Sequence, residues 1–74
     1  MSSIHKAAYQ QFLKRFKQPR LAAGLTQTQV AKKLRKPQQY VSKAELGERR
    51  LDVLEVQEFA KLYGKSLRYF FPEA

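Results

Sequence analysis

Cysteine is absent from the 74 residues, and with it every disulfide and every thiolate metal ligand. A chain near the lower size limit for a self-supporting core must then be held by packing, or by association with a second copy. That absence fits a reducing compartment, and the expected location is the cytoplasm. Long apolar runs are missing too: none approaches the ~20 residues a bilayer-spanning helix needs. The opening MSSIHKAAYQQF has no apolar h-region and no small-residue cleavage site, so it does not read as a signal peptide. There is no internal repeat, no low-complexity segment and no period-two alternation of the kind strands require. Histidine occurs once, at His5, with no Cys, second His or carboxylate cluster beside it, which leaves a metal site without ligands. No cofactor and no small-molecule substrate is expected.

Acidic residues are scarce. Six Asp and Glu face fifteen Lys and Arg, a net charge of +9. Residues 1–26 hold five basic and no acidic side chains, and residues 27–50 hold seven basic against Glu45 and Glu48. The last third is slightly acidic, so the first two-thirds carry the whole excess. A field of that shape favours a polyanion.

Glycine and proline number three each, and the pieces between them are helix-sized. Ser2 or Ser3 can cap a first helix reaching about Ala23, with Ile4, Ala8, Phe12, Phe16 and Leu21 on one side. Pro19 lies within it and predicts a kink or break near Lys17–Gln18. Gly24 supplies the stop. Thr26 with Gln29 forms a capping box for a second helix whose inner face is Val30, Ala31 and Leu34. The third helix starts at Pro37 or Gln38 and ends before Gly47, with Val41 and Ala44 inward. Asp52 with Glu55 repeats the capping box for a fourth helix ending at Gly64, its core face Leu54, Phe59, Ala60 and Leu62 or Tyr63. Ser66 caps a short fifth helix, Leu67 to Phe71, stopped by Pro72. The expected fold is all-α, a single compact domain of five helices spanning residues 1–74. His5 and Tyr9 read as surface or partly packed residues. Asp52, Glu55 and Glu58 read as capping and helix-dipole charges, not as an acid/base pair, and nothing supports an enzyme.

Two short helices joined by about three residues suggest helix-turn-helix. From Arg20 the chain reads R-x-x-x-G-L-T-Q-x-x-V-A-x-x-L, then P-Q-Q-x-V-S-x-x-E-x-G-x-R-R, then L-x-V-x-E-x-x-x-x-A-K-x-Y-G. This resembles the Cro/phage-repressor (XRE-type) helix-turn-helix family over roughly residues 13–71. The resemblance implies sequence-specific binding of double-stranded DNA by a repressor-like homodimer, with a recognition helix at about 37–46 in the major groove. It places Gln38, Gln39 and Lys43 at base-reading positions, where glutamine amides suit adenine and Lys43 suits guanine or a phosphate. Gln27, at a helix N-terminus that itself attracts anions, falls at a phosphate-contacting position. Tyr40 and Ser42 are implied beside the backbone or the next base, and Arg49 and Arg50 on phosphates. Arg20 and Glu45 match a largely buried ion pair of structural, not DNA-binding, purpose.

Four residues depart from the family pattern. Pro19 stands where a helix-compatible residue is usual. Arg35 replaces a glycine at a turn of positive φ, where a Cβ is strained. Ala44 is smaller than the Ile or Leu expected inside, and Leu46 replaces a polar residue and is expected at the surface. The competing readings are a protein-interaction or antitoxin-type module on the same fold, shown by an exposed apolar patch near Leu46 and Phe70, and an amphipathic membrane-surface segment, HKAAYQQFLKRFK. DNA without membrane is the reading the residues favour.

Overall fold

Several helix boundaries among the described residues are set by local chemistry. The computed structural model describes residues 3–71, with side chains from residue 7 onward. Four α-helices follow in order: α1 (Ser3–Ala22), α2 (Gln27–Leu34), α3 (Gln38–Leu46) and α4 (Val53–Tyr63), and then a 3-10 turn, Leu67–Phe70. Both expected capping boxes are present. Thr26 accepts from the Gln29 N–H while Gln29 reaches back to the Thr26 N–H, and Asp52 and Glu55 do the same for α4. The cap and stop expected at Ser2 and Pro72, and the inward side chain expected at Ile4, lie outside the described residues.

All four helices end in the same reversal. The residue after the last turn donates three residues back and the next residue five back, the Schellman arrangement: Gly24 to Leu21 and Leu25 to Arg20, Gly47 to Ala44 and Glu48 to Lys43, Gly64 to Lys61 and Lys65 to Ala60. At the end of α2 the reversing residue is Arg35, at φ 59°, the one non-glycine residue of positive φ among those described. The backbone therefore follows the glycine-type turn there although the residue carries a Cβ.

The core is gathered from every element. Phe16, Phe59, Phe70, Val30 and Val41 are fully buried, and Phe16 meets Phe59 edge-on at 4.6 Å between ring centres. Phe70 from the 3-10 turn closes the base of this cluster, 6.1 Å from Phe16. Val30 and Ala31 on α2 and Val41 and Ala44 on α3 face inward as expected, while Leu34 is half-buried. Ala44 is completely buried and lines neither of two surface cavities of about 400 Å³ each.

Several expectations need correction. Pro19 does not break α1: the helix runs through it to Ala22, and the Pro19 carbonyl accepts from the Ala23 N–H at 3.0 Å. The ring lacks only the bond to the Arg15 carbonyl and is itself buried. Ala8 and Leu21 are exposed, and Leu13 takes an inward position beside Phe12 and Phe16. On α4 the buried stripe is Val56, Phe59 and Ala60, whereas Leu54, in the first turn, is 67% exposed. The expected fifth α-helix is a 3-10 turn closed by three-residue steps, Tyr69 N–H to Ser66 and Phe71 N–H to Arg68, and Ser66 makes no side-chain cap. The turn is only four residues long, the short length at which 3-10 bonding is common.

Candidate nucleic-acid interface

The surface along α3 is built outward from one buried charge pair. Arg20, from the last turn of α1, donates through Nε to Glu45 Oε2 at 2.7 Å and through Nη2 to Oε1 at 3.1 Å. Its Nη1 donates to the Leu25 carbonyl at 2.9 Å. The residues are 8% and 9% exposed, so the bidentate pair sits in the interior and ties α1 to the end of α3. Hydrogen bonding to Glu45 holds the Arg20 guanidinium above its ordinary range despite burial. Tyr63 lies close by: burial pushes its phenol up to about 12, with the Glu45 charge adding and Arg20 opposing. Its hydroxyl is buried without a hydrogen-bond partner.

From Glu45 the polar chain continues to the surface. Gln27 Nε2 donates to Glu45 Oε1 at 3.0 Å, and Gln38 Nε2 donates to Gln27 Oε1 at 2.8 Å. Only one direction is chemically allowed. A carboxylate only accepts, so Gln27 must turn its NH₂ inward and its carbonyl oxygen outward; that oxygen only accepts, so Gln38 must turn its own NH₂ toward Gln27. Gln38 keeps one N–H and its Oε1, a donor and an acceptor side by side on an exposed residue. This is the pairing that adenine N6 and N7 require. Gln27, assigned to a phosphate, uses its amide oxygen and one N–H inside the domain, and one N–H remains.

The other expected site residues divide into two sets. Gln39 and Lys43 are exposed on α3 and Ser42 is half-buried. Tyr40, expected beside the backbone or the next base, is 9% exposed, its ring stacks near Phe59 at 6.0 Å and 14°, and its hydroxyl turns to Glu55 Oε2 at 3.4 Å. Alone of the α3 set it belongs to the core. Burial, then the Glu55 charge, pushes its phenol up. Arg49 and Arg50 leave the Gly47 turn, where an added Cβ would meet Leu13 Cδ1 at 2.8 Å. Both are docked on aromatics: Arg49 on Tyr40 at 5.0 Å and Arg50 on Tyr9 at 4.6 Å. Arg49 also donates to Glu55 Oε2 at 2.8 Å. The Asp52 backbone N–H, then Arg49, holds the Glu55 carboxyl below its ordinary range. The sequence marks Glu55 as a capping and helix-dipole charge; its second use has no sequence signal, because a six-residue separation across a loop fixes no geometry.

Phe12, Leu13 and Phe16, the apolar residues a membrane-surface segment would present, are buried in the core. Of the apolar patch near Leu46 and Phe70 that would support an interaction module, Leu46 is 66% exposed and Phe70 is fully buried. Phe71, Val53 and Leu54 are exposed as well. None of the described helices is long and apolar enough to cross a membrane.

A family model described as helix-turn-helix matches residues 16–70, most of the chain, from the later turns of α1 to the 3-10 turn. The chain belongs to the Cro/C1-type (XRE) helix-turn-helix family. Membership makes it a DNA-binding domain of the transcription-regulator kind, and the family is not an enzymatic one. Neither the curated proteins nor the solved structures yield a match.

Proposed function

We propose that this domain is a sequence-specific, repressor-like regulator that sets α3 into the major groove of double-stranded DNA, reading bases with Gln38, Gln39 and Lys43. The observation that carries this reading is the polar chain from Arg20 through Glu45 and Gln27 to Gln38, which fixes which way the outermost amide faces. A pre-oriented amide loses less freedom on binding than a free one. Phosphates fall to Gln27, through its remaining N–H and the start of α2, and to Ser42, Arg49 and Arg50.

The domain works as a homodimer on half-sites about one helical turn, ~34 Å, apart. The C-terminal residues Leu67, Tyr69, Phe70 and Phe71 are the expected pairing surface; Phe70 is in the core, so the pairing face falls to Phe71 with Val53, which line one cavity with Tyr9 and Leu51. The second reading, a protein-interaction or antitoxin-type module, rests on the exposed Leu46, Val53 and Leu54.

Fluorescence anisotropy against a duplex selected from a random-sequence pool, and against its scrambled counterpart, at two salt concentrations tests the proposal. Q38A and Q39A should lose about 1–3 kcal/mol of discrimination each. R50Q should weaken both duplexes alike. Equal affinity of the unaltered domain for the two duplexes refutes sequence-specific reading.

A further inference from the structure

We infer that Lys36, Tyr40 and Arg49 form a phosphate-binding clasp that takes one phosphodiester of the DNA backbone beside the first turn of α3. Lys36 comes from the α2–α3 turn and Arg49 from the α3–α4 loop, so the two cations reach the clasp from opposite ends of α3. They converge on a single ring: Lys36 Nζ lies 5.2 Å and Arg49 Cζ 5.0 Å from the Tyr40 centroid. The charges are therefore separated by no more than about one Debye length at 0.1 M salt, ~10 Å.

Tyr40 makes this convergence possible because its ring is held in the core against the fully buried Phe59, which prevents it from following either cation into solvent. Glu55 steadies the other side. Its Oε1 accepts from the Asp52 N–H at 2.9 Å as part of the α4 capping box, which leaves Oε2 aimed at Arg49 and the Tyr40 hydroxyl. Glu55 takes Arg49 Nη2, which leaves other donors of the five-donor guanidinium fork for a second acceptor. Lys36 forms no ion pair among the described residues. The Glu58 carboxylate also acts on Tyr40, so two cations stand with two carboxylates, and what draws a phosphodiester is the unpaired Lys36 ammonium together with the spare Arg49 donors.

The clasp rests on the DNA-binding reading but not on which bases α3 reads, and its test separates the two. Affinity for the selected and scrambled duplexes is measured as salt is varied for the unaltered domain, K36Q, R49Q, the K36Q/R49Q pair, Y40F and Y40L. Each single cation variant should lower the slope of log affinity against log salt by up to about 0.9 on both duplexes. The double variant should lower it by about the same amount, since both side chains serve one phosphate. Y40F keeps the ring and should keep the unaltered slope; Y40L should move toward the double variant. An unchanged slope in K36Q, or a double-variant loss of roughly twice the single, overturns the clasp whatever the sequence preference. Where Y40L fails to melt cooperatively, the cation variants still decide. Equal affinity for the two duplexes with the slopes as expected refutes only the base reading, and no binding of either duplex overturns both.

Discussion

Replacing Glu45 with alanine strips the buried Arg20 guanidinium of the acceptors at 2.7 and 3.1 Å and leaves it only the Leu25 carbonyl at 2.9 Å. With 8% of Arg20 exposed, water cannot replace them. Removing one partner of such a pair costs about 3–5 kcal/mol, because the other charge stays buried without compensation. A domain of this length has in all about 4–11 kcal/mol of stability. The expected fall in melting temperature is then at least about 12 °C, at about 4 °C or more per kcal/mol. R20A should cost a similar amount, leaving Glu45 with the single Gln27 donor. The R20M/E45L pair should recover most of the loss, since apolar residues of like volume replace a buried pair at little cost. Urea and thermal melts followed by circular dichroism measure all three. A cost below about 1 kcal/mol for either single variant, or a double variant as unstable as the two singles added, would refute the reasoning.

R35G should stabilise the domain by about 0.5–1 kcal/mol in the same melts, because a glycine adopts φ 59° without the Cβ clash, partly offset by a freer unfolded chain. Y63F removes a buried hydroxyl that has no partner and should raise stability by about 1 kcal/mol. The unaltered Tyr63 phenol sits at about 12, above its ordinary 10.0, so its contribution is complete below pH 10 and is lost as pH rises from there toward 12; Y63F should flatten that alkaline loss of melting temperature. Glu55 has the opposite sign. Its folded carboxyl lies below the ordinary 4.5, so it stabilises above that value and the effect is lost as pH falls through the lowered one; E55Q should flatten the acid side of the same profile.

Much of the scaffold was legible because it is local. A capping box needs only Thr26 and Gln29, or Asp52 and Glu55, three residues apart, and a helix-ending glycine needs no partner elsewhere. The family pattern added that Arg35 occupies a left-handed position and that Arg20 meets Glu45, and the structure has both. Val56 was legible and missed: with Phe59 and Ala60 it completes the three- and four-residue spacing that Leu54 does not fit. Leu21 shows a different limit, since periodicity gives a direction around a helix but not where along its axis a neighbour covers it.

The sequence by itself determined the helices, their ends and the excess of positive charge, because capping, chirality and charge act within a few residues. Only tertiary structure decided that Tyr40 is a core ring carrying two cations, that Glu55 serves a cap and an arginine together, and that Gln38 is oriented through Gln27 by a buried carboxylate. In each case the partners come from different helices and loops. Their approach is fixed by how the aromatic core packs, and no spacing along the chain encodes a hydrogen bond's direction or a cation's distance from a ring.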